Sequence, residues 1–104
     1  MERVLSEAFL VIDVQNDFCP GGALAVLEGD MIVQPINEAM DHFDLVVLTQ
    51  DWHPREHKSF ASSYENKRPF DTVEMFYVDQ VLLPDHCIQG SLAANFYPDL
   101  KDEK

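Results

Sequence analysis

The chain has 104 residues, enough for one small domain and too few to fill a second core. Seven Lys and Arg against 19 Asp and Glu leave a net charge of −12, which repels phosphate backbones and anionic lipid and so argues against nucleic acid and membrane surfaces as partners. A hydrophobic share of 46%, with 11% aromatic residues, supports a packed core over disorder.

The first predicted element is the continuous apolar run Ala8-Phe9-Leu10-Val11-Ile12, which reads as a parallel strand buried on both faces and stops at Asp13. Residues 1–7 ahead of it are expected to fray. A turn follows at Cys19-Pro20-Gly21-Gly22. Ile32, Ile36, Ala39, Met40 and Phe43 then make the stripe of an amphipathic helix, with Asp30 as N-cap. Pro35 sits awkwardly in that pattern, so the helix either bends there or starts after Asp30. Residues 45–49, Leu-Val-Val-Leu-Thr, form a second β-branched run ending just before Asp51. Strand, crossover helix and strand make a βαβ unit, which places the chain in the α/β class with a parallel sheet.

Downstream the pattern weakens. Pro54, Pro69, Pro84 and Pro98 punctuate it, and only residues 78–83 suggest a short strand or turn of helix. The charged tail, residues 101–104, is expected to be solvated. One helix covers one face of a parallel sheet, so the chain reads as a single incomplete domain, 1–104, the front part of a larger fold. No apolar run approaches the roughly 20 residues needed to span a bilayer. Two cysteines are too few for a disulfide framework, and the N-terminus has no basic, then apolar, leader pattern, so a reducing cytoplasm is the expected location.

Ligands of open parallel sheets bind beyond the carboxyl ends of the strands, and both strands carry an aspartate there. Asp13 and Asp51 are therefore expected to share one site, although a strand-end aspartate by itself often only caps a loop. Asp51-Trp52-His53 adds specificity. In extended chain, residues two apart point the same way, so a carboxylate and an imidazole there offer two ligands to a divalent cation, with His57 and His86 as further donors. This donor mix suits zinc, manganese or iron. His42, near the helix end, reads as structural. Cys19 and Cys87 could become nucleophiles beside a metal, but each is equally a small buried hydrophobe. Phe18, Trp52, Phe60 and Phe70 either line a pocket for a flat ring or serve local packing. Pro20-Gly21-Gly22 lacks the spacing of a phosphate loop, so nucleotide binding has no support.

Three stretches taken together resemble a known family: residues 11–24, Val-Ile-Asp-Val-Gln-Asn-Asp-Phe-Cys-Pro-Gly-Gly-Ala-Leu; residues 48–54, Leu-Thr-Gln-Asp-Trp-His-Pro; and residues 84–90, Pro-Asp-His-Cys-Ile-Gln-Gly. They are similar to the N-terminal part of the bacterial nicotinamidases, within the isochorismatase-like cysteine hydrolases. The resemblance implies a Rossmann-like three-layer fold with helices on both faces of the sheet. It also implies hydrolysis of nicotinamide to nicotinate and ammonia in NAD salvage. By position, Asp13 corresponds to the catalytic aspartate, Asp51, His53 and His86 to the metal ligands, and Phe18 to a wall of the nicotinamide pocket. His57 matches a histidine that is an additional ligand in some members and only lines the site in others. The cysteine nucleophile and its partner lysine belong to the family's C-terminal half, so the resemblance implies no nucleophile in this chain and no turnover by it alone. Leu83 stands where many members carry a tryptophan, which gives up a stacking contact worth on the order of 0.5–1.5 kcal/mol and leaves a related amide open as substrate. Two other readings remain: a non-catalytic protein that binds metal and ring, and a chain that self-associates or pairs with family subunits.

Overall fold

The computed structural model describes residues 4–75 and 78–101. Strand β1, Val4–Val11, and strand β2, Phe43–Leu48, form a parallel pair in the register Ala8↔Leu45, Phe9↔Val46, Leu10↔Val47 and Val11↔Leu48. The crossover between them carries helix α1, Val33–Met40, so the βαβ unit is present and the class is α/β. β1 starts at Val4, ahead of the apolar run. It pairs Val4 with Phe43 across an irregularity in register, so residues 4–7 are strand and not a frayed end. Residues 1–3 and 102–104, also expected to fray, lie outside the described residues.

The helix is shorter than its apolar stripe. Residues Gly29–Ile32 form a 3-10 turn, and α1 begins after it without a side-chain cap, so Asp30 is not the N-cap. This start removes the conflict at Pro35, which becomes the third helical residue, where the first-turn N–H groups have no intrahelical partner in any case. The core lies between α1 and one face of the sheet: Val11, Val14, Val33, Met40 and Leu100, with Phe9, Ile36, Val46, Leu48, Phe96 and Tyr97 packed around them.

The other face of the sheet is bare. Leu10 (57% exposed), Ile12 (60%), Leu45 (57%) and Val47 project from it. The uninterrupted apolar runs thus describe strands built for burial on both faces, of which these residues cover one. The layers present are a sheet and a single helix face, and no second helical layer occurs among the described residues.

Part of the segment downstream of β2 forms a second, smaller sheet. Thr72–Glu74 (β3) and Asp79–Val81 (β4) pair as an antiparallel hairpin. Beside it, Phe60 and Leu82 are fully buried, and Ala61, Cys87 and Ile88 are buried as well. Among the described residues no helix is long and apolar enough to cross a membrane.

Candidate metal centre

β1 ends at Val11 and turns sharply. Asp13 adopts a left-handed backbone (φ 54°), a conformation that costs a non-glycine residue about 1 kcal/mol or more and is held here by the second strand. Its N–H donates to the Thr49 carbonyl (3.2 Å) and to Thr49 Oγ1 (3.0 Å), and that hydroxyl donates back to Asp13 Oδ1 (2.6 Å). The acid is thus fixed across the strand ends. It borders a largely apolar cavity of about 390 Å³ lined by Ile12, Val14, Phe18, Val26 and Ile32 among others.

The loop after Asp13 is shaped by Cys19-Pro20-Gly21-Gly22. Gly22 N–H donates to the Cys19 carbonyl (2.9 Å), and Gly21 has φ 92° with proline before it, which is the type II turn pattern. A Cβ on Gly22 would stand 2.4 Å from the Asp17 backbone, so the turn presses against that residue. The buried Asp17 carboxylate accepts from Ala23 N–H (3.0 Å) and Cys87 N–H (2.8 Å), tying the loop to the segment that carries His86.

That segment runs alongside residues 51–53. His53 N–H donates to the Cys87 carbonyl (2.8 Å) and Gln89 N–H donates to the His53 carbonyl (2.8 Å), a one-residue parallel bridge. The bridge brings His53 beside His86, with ring centroids 4.7 Å apart. One ligand atom each from Asp51, His53 and His86 lies within 4.8 Å of the others. His86 Nε2 and Asp51 Oδ2 are 3.9 Å apart. Two ligands about 2.0–2.1 Å from one tetrahedral zinc stand roughly 3.4 Å from each other, so the spacing needs to close by only about 0.5 Å.

The ring hydrogen bonds sort the histidines. His53 Nδ1 faces the His86 carbonyl (3.2 Å) and His86 Nδ1 faces the Pro84 carbonyl (2.9 Å). A carbonyl only accepts, so both rings donate from Nδ1, and in the neutral form this leaves the lone pair on Nε2, the arrangement a metal ligand requires. His57 is the reverse. Its Nδ1 accepts from Ser59 N–H (3.1 Å), which puts the ring proton on Nε2, and Ser59 Oγ lies 2.6 Å from the same nitrogen. Burial, then the nearby His53 and His86, lower the His57 pKa from its ordinary value and favour this neutral form. His57 packs edge-on to His53 (4.8 Å) but is not in the three-residue donor group.

Phe60 is the platform beneath these rings, with centroids 5.4, 5.5 and 5.3 Å from those of His53, His57 and His86. Among the aromatics noted for a ring pocket it is interior packing, at 0% exposure. Phe18 borders the apolar cavity and meets the His86 ring edge-on at 5.9 Å. Trp52 and Phe70 are exposed, and Phe70 lies by the hairpin, where its N–H donates to the Leu82 carbonyl. Leu83 pairs with Phe60 through backbone bonds to Ser59 and Ala61. His42 follows the C-terminus of α1, with its N–H on the Ala39 carbonyl.

Both thiols are free and buried. Cys87 is 0% exposed, and its pKa is pushed up to about 12 by burial and then by the charges of Asp17, Asp51 and Asp13. Burial, with Asp30, also raises that of Cys19. Neither is poised as a thiolate. Gln15, Thr49, Ser59 and Asp17 hold the site together, and sequence reading assigned none of them a role. The one signal for Gln15, Asp17 and Thr49 was their place inside the quoted motifs, and Ser59 had none.

A parallel α/β unit here gathers a carboxylate and two imidazoles beyond its strand ends, next to an apolar cavity edged by a second acid, which is where α/β folds place ligand sites. The chain is 49% identical over 100 residues to the nicotinamidase of Acinetobacter baylyi, a match covering 96% of this chain and 47% of that protein. The solved Acinetobacter baumanii nicotinamidase pyrazinamidease superposes with a TM-score of 0.85 at 54% identity, over 90% of this chain and 45% of that one. The pyrazinamidase of Pyrococcus horikoshii, solved in complex with zinc, gives 0.67 at 37% identity, over 91% and 46%. No family model matches the chain. By sequence and fold this chain is homologous to part of the nicotinamidases, and it spans about half the length of the curated relatives it matches.

Proposed function

We propose that these 104 residues form the metal- and ring-binding half of a nicotinamidase, whose reaction is hydrolysis of nicotinamide, or a related pyridine or pyrazine carboxamide, to the acid and ammonia. One observation carries this reading: Asp51, His53 and His86 converge, with both imidazole Nδ1 atoms turned to backbone carbonyls so that Nε2 is the nitrogen left for a ligand. Zinc is the cation of choice, by analogy with the zinc-bound Pyrococcus horikoshii relative, and manganese and iron suit the same donors. Asp51, His53 and His86 would hold the cation, which would supply a Lewis acid to the ring of the substrate. His57, whose Nδ1 is occupied, does not ligate. Its ring proton sits on Nε2.

Phe18 offers an apolar wall between the cavity and His86, and with Leu83 in place of a stacking aromatic it carries more of the ring contact. Asp13, held by Thr49, takes the proton of the attacking thiol and passes it to the departing ammonia. The attacking thiol is neither Cys87 nor Cys19, since both are buried and held protonated. It comes from the part of the family fold that these residues do not span. The 104-residue chain alone is therefore expected to bind cation and release no ammonia.

Calorimetric titration of the metal-free chain with zinc tests the core of this reading. One equivalent bound by wild type, loss of at least about 100-fold in affinity in His53→Ala and in His86→Ala, and a change within about threefold in His57→Ala are expected. Absence of binding by wild type would overturn the metal-centre reading, and ammonia release from nicotinamide by this chain would overturn the exclusion of its thiols.

A further inference from the structure

Gln15 is a polar side chain at 0% exposure, and the proposed chemistry gives it nothing to do. Its amide is fully used. Nε2 donates to the Asp51 carbonyl (2.9 Å) and to the Ala94 carbonyl (2.7 Å), and Oε1 accepts from Asp51 N–H (2.8 Å). Both backbone polar groups of Asp51 are thus taken by one side chain, which plays the part a neighbouring strand plays in a sheet. The anchor is firm at its own end, because Gln15 N–H donates to the Asp13 carbonyl and its carbonyl accepts from Phe18 N–H.

From these bonds we propose that Gln15 is the positioning residue of the metal centre: it clamps the peptide groups of Asp51 so that the carboxylate is already placed when the cation arrives. This rests on the metal-centre reading above. The segment 51–53 is then pinned at both ends, by Gln15 at Asp51 and by the bridge to residues 87–89 at His53. The two ligands on that segment are held apart at a fixed span, and Asp13 and Asp51, which lie beyond the ends of different strands, are coupled through Gln15 as well as through Thr49. Second partners that orient ligands in this way typically contribute 10- to 100-fold in metal affinity.

A packing role and a positioning role separate experimentally, because Gln50 Nε2 also donates to the Ala94 carbonyl (2.8 Å) without bonding to Asp51. Gln15→Met keeps the length and removes all three bonds; Gln15→Glu keeps the acceptor for Asp51 N–H; Gln50→Ala relieves Ala94 alone. Zinc affinity by calorimetry and the visible spectrum of the cobalt-loaded chain are the readouts. A 10- to 100-fold loss with an altered cobalt spectrum is expected in Gln15→Met, a smaller loss in Gln15→Glu, and no change in Gln50→Ala. Equal losses in Gln15→Met and Gln50→Ala, or none in Gln15→Met, would overturn the proposal, whereas failure of wild type to bind zinc would instead remove the metal centre itself. Hydrogen exchange on the metal-free wild type gives an answer even if the variants do not fold. Asp51 N–H should exchange as slowly as Thr49 N–H, which is bonded to the Val11 carbonyl (2.9 Å), and exchange at the unprotected rate would refute the clamp.

Discussion

Truncating Phe60 is the sharpest test of how the metal centre is supported. The ring is wholly buried and stands 5.3–5.5 Å from three imidazoles. Phe→Ala in such a place costs about 3–5 kcal/mol. A chain of this size has only about 5–15 kcal/mol of total stability, so that variant risks unfolding outright. Phe60→Leu is the better perturbation. It keeps most of the buried volume and gives up ring contacts worth about 0.5–1.5 kcal/mol each; since leucine still touches the imidazoles, a net loss of about 1–2 kcal/mol is expected. Urea unfolding followed through Trp52, the chain's one tryptophan, measures it. His53 and His86 also lose the surface that fixes their ring planes, so zinc affinity should fall about 10-fold in the folded variant. Phe70→Leu, at an exposed ring, should stay within about 0.5 kcal/mol of wild type with unchanged zinc affinity. If Phe60→Leu unfolds at the wild-type urea concentration and binds zinc as tightly, Phe60 is not the platform described.

Three further outcomes follow from the same geometry. At pH 8 a thiol reagent should label neither cysteine in the native chain and both after unfolding in urea, because Cys19 and Cys87 are buried with raised pKa values. Above pH 9 the unfolded thiol of Cys87 loses its proton while the folded one holds it until about pH 12, so the unfolded state binds fewer protons and stability falls as pH rises through that window; Cys87→Ala should flatten the fall seen in thermal melts. Gly22→Ala forces a methyl to within 2.4 Å of the Asp17 backbone and should cost about 2–3 kcal/mol by the same melts, with unchanged melting counting against the tight turn.

The βαβ unit was legible because burial writes itself into sequence. Residues 8–12 and 45–49 are apolar without alternation, and both lie in or at the parallel strands seen. The helix limits were less legible, since Gly29–Ile32 continue the apolar stripe while winding as a 3-10 turn. The hairpin β3–β4 was half seen, as Thr72–Glu74 has one inward residue and offers no period to read. Within the site, Asp51, His53 and His86 could be named from residue type and motif. Their proximity could not, because His53 and His86 are joined by a single bridge between irregular segments 33 residues apart, and no local pattern encodes such a contact. Gln15 escaped for a related reason. A glutamine is normally a surface residue, and only the two carbonyls and one amide facing it reveal its use.

The bare side of the two-stranded sheet has a consequence for how the chain behaves in solution. Leu10, Ile12, Leu45 and Val47 make an exposed apolar strip, and the −12 charge opposes the approach of a second such strip. That repulsion reaches about 30 Å in 10 mM electrolyte and about 3 Å in 1 M. Any pairing of two such strips is therefore expected to grow with ionic strength, which light scattering in dilute and in concentrated salt would read directly.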